Sequence, residues 1–153
     1  MKIWKTLLLV YRELDVRLPV DSRKRRFHHV ASEQEVADAL DSFAGFPQLV
    51  SELTRGKAGI EYEIVRPDHA LTFLTRESSS RFWPSPYDIR SDLDEFAPLG
   101  KYDSIFVFWP QRNLKNGTGV PCDAWGFGDG RKQMDERSDL CRYCQCTVIR
   151  LDK

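Results

Sequence analysis

The stretch Tyr102–Trp109, read YDSIFVFW, limits the fold more than any other part of the chain. From Ser104 to Trp109 nearly every residue is apolar, β-branched or aromatic, with no polar alternation. Such a run suits a strand covered on both faces, the normal state of a strand in a parallel sheet. Pro110 ends it, and Asn116-Gly117 predicts a turn in the loop beyond. At 153 residues, the chain has the length of one domain with a substantial hydrophobic core.

Upstream, the pattern supplies partners for that strand. Thr6 to Leu18 begins as a dense apolar run and then alternates, with Leu14, Val16 and Leu18 against Glu13, Asp15 and Arg17. It predicts one strand emerging towards solvent and stopped by Pro19. The basic segment DSRKRRFHH then reads as a solvated loop. Ser32 and Glu35 form a capping box that opens a helix with Val36, Leu40 and Phe43 on its apolar face and Gly45 at its end. Pro47 opens a second short helix, with Leu49, Val50 and Leu53 on its apolar side and Gly56 as its stop. GIEYEIV predicts a half-covered strand with Ile60, Tyr62 and Ile64 inward. HALTFLT allows another short strand, Arg76 to Ile89 reads as loop, and Ser91 with Asp94 suggests a helix start. Strands separated by helices imply an α/β fold with a mostly parallel central sheet and crossover helices. No internal repeat is visible.

Charge and cysteine usage narrow the function classes. Twenty-three basic residues balance 23 acidic ones, so no global field draws the chain to nucleic acid or to anionic membrane. The basic segment lacks an aromatic platform and a second basic stretch, and nucleic acid is not the expected partner. No apolar run reaches the length of a signal peptide core or of a membrane span. The expected location is the cytoplasm, where four cysteines are thiols or ligands rather than disulfides.

Those cysteines are Cys122, Cys141, Cys144 and Cys146. Four thiolates can close a tetrahedral zinc site, and Cys141 with Cys144 has the spacing of half of one. The other half is poor, because Cys122 stands alone after a proline and Cys144 and Cys146 are separated by one residue. His28 and His29 are adjacent and point opposite ways on an extended segment. His69 follows Pro67 in a loop. None converges with the others as metal ligands must. The glycines of GFGDG precede no helix that would cradle an anion. Asp123 beside Cys122 disfavours a reactive thiolate.

YDSIFVFWPQ and WGFGDG, taken with FWPSPYDIRSDLDEFAP, resemble the N-terminal part of a bacterial protein family. Its pattern Tyr-Asp-Ser-x-Phe-Val-x-Trp-Pro precedes Gly-Trp-Gly-x-Gly-x-Gly, and the similarity spans roughly residues 3 to 130. The element order also resembles the N-terminal half of a zincin metallopeptidase. That resemblance implies that Trp125, Gly126, Phe127 and Gly128 supply an edge strand for extended peptide, with a zinc-binding helix following it. A His-Glu-x-x-His helix, whose glutamate acts on zinc-bound water, has no counterpart in this sequence.

Similarity to the family stops at Arg131. Met134-Asp135 is encoded ATG-GAY, so the +1 frame across it reads TGG, tryptophan. With permitted codons, RKQMDERSDLCRYC becomes ASKWMNGAIYADT, which matches the family continuation Ala-Ser-x-Trp-x-Asn-Gly-Ala-x-Tyr-Ala. The expectation is a single α/β domain over residues 1–130 and an irregular, frameshifted tail over 131–153, whose cysteines were never selected as ligands. A coding sequence that stops at once in the +1 frame would refute the shift. The expected function is that of a catalytically inactive, truncated relative of a zincin-like hydrolase, with no cofactor. The alternatives are a small peptide- or protein-binding module and a cysteine-ligated zinc module. Expected partners are an extended peptide, or a second copy, at the exposed sheet edge.

Overall fold

The computed structural model describes residues 1–78, 81–113 and 115–122, and the backbone of 126–128 and 146–149. In chain order its elements are β1 (Lys2–Val10), β2 (Glu13–Val20), β3 (Arg23–Val30), α1 (Glu33–Ala44), α2 (Phe46–Leu53) and β4 (Ala58–Val65). β5 (Thr75–Ser78), β6 (Arg81–Trp83), α3 (Arg90–Phe96), β7 (Ser104–Phe108), β8 (Gly126–Gly128) and β9 (Cys146–Ile149) follow.

Five strands form one sheet in the order β4-β1-β7-β9-β8. β4 and β7 run parallel to β1, β9 runs parallel to β7, and β8 is antiparallel to β9. The apolar runs of β1 and β7 sit in the middle because each must bury both faces. Leu8 and Val10 of β1, with Phe108 of β7, pack on Val36, Ala39 and Phe43 of α1. On the opposite face, Leu7, Leu9, Ile105 and Val107 meet Leu14, Val16 and Leu18 of β2, Phe27 of β3, Phe82 of β6 and Leu93 of α3. The molecule is therefore layered: helices, sheet, then two small hairpins and α3.

The capping box forms as the sequence predicts. Glu35 N–H donates to Ser32 Oγ at 3.1 Å, and Ser32 N–H donates to Glu35 Oε2 at 2.6 Å. α2 has Pro47 in its first turn, but it ends at Leu53 with Thr54 as its cap, before the expected stop at Gly56, whose φ of +74° suits glycine in the turn that follows. Its apolar side is not buried, however: Leu49 and Leu53 stay 50% and 75% exposed. In β4, Tyr62 stacks edge-on against Phe43 at 5.0 Å between ring centroids, whereas Ile64 remains exposed.

The structure corrects several expectations. Thr6–Leu18 is two strands of different sheets, and the change from continuous to alternating apolar residues marks the change of sheet. Pro19 lies inside β2, next to its end, where a missing N–H costs little. The basic segment is not a loop but β3, antiparallel to β2. Asp21 and Ser22 join the two strands with φ of 50° and 63°, the left-handed pair that suits a tight hairpin. Within HALTFLT, Leu71 makes only a bridge to Leu14, and strand structure begins at Thr75. The expected loop after it is the hairpin β5–β6. α3 is not opened by Ser91, since Ile89 occupies the capping position and no side chain caps the helix.

Motif residues also prove to be fasteners. Asp103 Oδ2 accepts from Lys5 N–H at 2.9 Å, locking the start of β7 to β1. The Tyr102 hydroxyl donates to Glu63 of β4, and Lys101 Nζ lies 3.5 Å from the same carboxylate. The Tyr102 hydrogen bond, more than the charge of Lys101, holds the Glu63 carboxyl below its ordinary range. In FWPSPYD, Asp88 Oδ2 accepts from Ser85 N–H at 2.8 Å and from Thr75 Oγ1 at 2.8 Å, closing the turn before α3.

Candidate functional site

Ligands of open α/β sheets collect beyond the carboxyl ends of the strands. At that end of β1 the chain assembles its main polar cluster: Tyr11, His69 and Asp92. Tyr11 follows β1 and is fully buried, because its N–H donates to the Phe108 carbonyl and draws the ring under the sheet. Asp92 lies in the first turn of α3, the preferred end of a helix for a carboxylate, and is almost wholly buried. His69 arrives from the loop after β4.

One carboxylate joins all three. The Tyr11 hydroxyl donates to Asp92 Oδ2, and His69 Nε2 stands 2.8 Å from Asp92 Oδ1. His69 Nδ1 faces the Ala70 carbonyl at 3.0 Å. Both ring nitrogens thus face acceptors, an arrangement that favours the doubly protonated ring. Its pKa is raised, first by the Asp92 hydrogen bond and then by the Ala70 carbonyl. An imidazolium with both protons engaged has no lone pair to accept another. In that form the ring ties the loop after β4 to α3 through Asp92.

The other histidines are committed separately. His28 Nε2 lies 2.7 Å from Glu13 Oε1 on the outer face of the hairpin. His29, its neighbour, points inward, where Nδ1 donates to the Pro110 carbonyl at 3.0 Å and Nε2 lies 3.4 Å from Thr118 Oγ1. It pins β3 to the loop after β7.

The expected peptide-binding residues lie at the opposite end of the sheet from β4. Gly126, Phe127 and Gly128 are the whole of β8, paired with Ile149, Val148 and Thr147 of β9. Trp125 lies outside the described residues. Of the cysteines considered as zinc ligands, Cys122 is half-buried in the loop after Val120, and Cys146 opens β9 opposite Ile105. Cys141 and Cys144 lie outside the described residues. β9 itself gives regular structure to four residues of a stretch read as irregular. Among the described residues, no three His, Cys, Asp or Glu side chains gather as metal ligands, and no helix is long and apolar enough to cross a membrane.

A cavity of about 400 Å³ opens between Phe106 and Phe108 of β7 and Phe43, Phe46 and Leu49 of the helices. Its volume suits a small ligand, but its walls offer almost no polar group to orient one.

The fold and these sites define the chain as an α/β protein with an antiparallel strand ending a parallel sheet. No family model, curated protein or solved structure matches it.

Proposed function

We propose that the chain is a catalytically inactive, zincin-like module that receives an extended peptide along β8. The observation that carries this reading is the place of Gly126–Gly128 at the outer end of the sheet, with β9 as its one strand neighbour among the described residues. A terminal strand offers one row of backbone donors and acceptors to an added strand, and main-chain hydrogen bonds supply the affinity. A parallel sheet reached through crossover helices and ended by these residues is the arrangement the zincin resemblance implies. The commitment of His28, His29 and His69 to three unrelated fastening contacts supports inactivity.

The test is fluorescence anisotropy with a labelled, uncharged peptide of alternating threonine and valine. Binding is expected, and proline at one or more of positions 126, 127 and 128 should abolish it by removing an outward N–H. No binding at about 1 mM peptide would defeat the edge reading. Peptide cleavage that depends on added zinc would defeat the claim of inactivity.

A further inference from the structure

The hairpin β2–β3 offers a second edge, with chemistry unlike that of β8. Residues Arg23, Lys24, Arg25 and Arg26 are consecutive and all exposed. From Asp15 to Arg26 the chain carries five cations and two carboxylates, although the whole molecule has a formal net charge of zero. Arg26 is engaged by Asp15 in two hydrogen bonds of 2.9 and 2.8 Å. Arg25 lies over the Phe27 ring at 5.0 Å, which holds its guanidinium in place without neutralising it. Among the described residues, neither Arg23, Lys24 nor Arg25 makes an ion pair.

The backbone beneath this row is equally open among the described residues. β2 is the one strand neighbour of β3 among the described residues, in register from Glu13↔Val30 to Val20↔Arg23. Successive strand residues point to opposite faces, so Lys24 and Arg26 project on one side and Arg23 and Arg25 on the other. A parallel second copy of β3 would set cation against cation on both faces, which disfavours that self-pairing. An incoming strand of aspartates and glutamates would meet a cation whichever way each side chain points. Duplex nucleic acid fits less well, because the outer face of the ribbon also carries Glu13 and Asp15.

We infer that the open edge of β3 docks an acidic peptide in extended conformation. Backbone hydrogen bonds set its register, and Arg23, Lys24 and Arg25 select its charge. The surface is distinct from β8 and does not depend on it.

The experiment uses the full chain and a fluorescein-labelled peptide rich in Glu and Asp, as long as the eight residues of β3. Anisotropy should report binding that weakens as salt rises, and Lys24→Glu with Arg25→Glu should weaken it roughly tenfold or more. Circular dichroism checks that this variant is folded. If it is not, Lys24→Gln with Arg25→Gln carries the test, with a smaller loss expected. Peptides N-methylated at alternate residues, in each of the two phases, separate strand addition from simple charge attraction: one phase should lose binding. Equal binding by both phases, unchanged affinity after charge reversal, or tighter binding of a short DNA duplex would each overturn the inference. Proline at position 128 should leave this binding intact, so the two edges fail or hold independently.

Discussion

Replacing Asp92 with asparagine tests the Tyr11–Asp92–His69 fastener, because it keeps the shape and removes the charge. In the native chain the buried carboxylate accepts from the Tyr11 hydroxyl and from His69 Nε2. Hydrogen bonds to a charged group contribute about 1.5–3 kcal/mol each. His69 is about half exposed and water recovers part of its bond, so the expected loss is about 2–3 kcal/mol in total. The loss should depend on pH with a definite sign. The folded pKa of His69 lies above its unfolded value. The stabilisation is therefore complete below about pH 6.5 and fades as pH rises through the folded pKa. Urea unfolding followed by the fluorescence of the buried Trp83 and Trp109 should show a larger cost at about pH 6 than at about pH 9. A cost that does not change across that range would refute the assignment of His69 as a cation held by Asp92.

Other consequences follow from single contacts. Ser32→Ala removes the acceptor of Glu35 N–H and should cost about 1 kcal/mol in a urea titration. Leu9→Ala, at a fully buried site of the central strand, should cost about 3–4 kcal/mol. Tyr102→Phe should return the Glu63 carboxyl towards its ordinary pKa, read by carbon-detected NMR titration. Because the folded pKa of Glu63 is depressed, its contribution is present above the unfolded value and lost as pH falls through the folded one. Metal analysis of the purified chain should find far less than one zinc per molecule. A value near one would make ligands of the cysteines.

Where one periodicity held over a whole element, the sequence was readable. The capping box, the double-sided run of β7 and the alternation of β4 depend on residues close together, and the structure contains all three elements. What failed was the reading of connections. A run of charge hid β3, because its buried positions, Phe27 and His29, come only in its second half. Asp21 between two extended segments was the available sign of a hairpin. The polar cluster was not legible at all. Tyr11 and Asp92 stand 81 positions apart, and no local spacing relates them. The resemblance motifs were visible, but not that Tyr102, Asp103, Ser85 and Asp88 fasten strands and turns.

The central position of β1 also governs how the chain must emerge from the ribosome. Lys5 is tied to Asp103, 98 positions later. At a synthesis rate of about 10 residues per second, the Leu7–Val10 run waits about ten seconds for β7. During that interval its apolar sides lack their final cover, and closure over such sequence distances is slow. The nascent chain is thus most open to chaperone capture before residue 108 appears, and a synonymous slow codon before β7 would lengthen the exposure of its first strand.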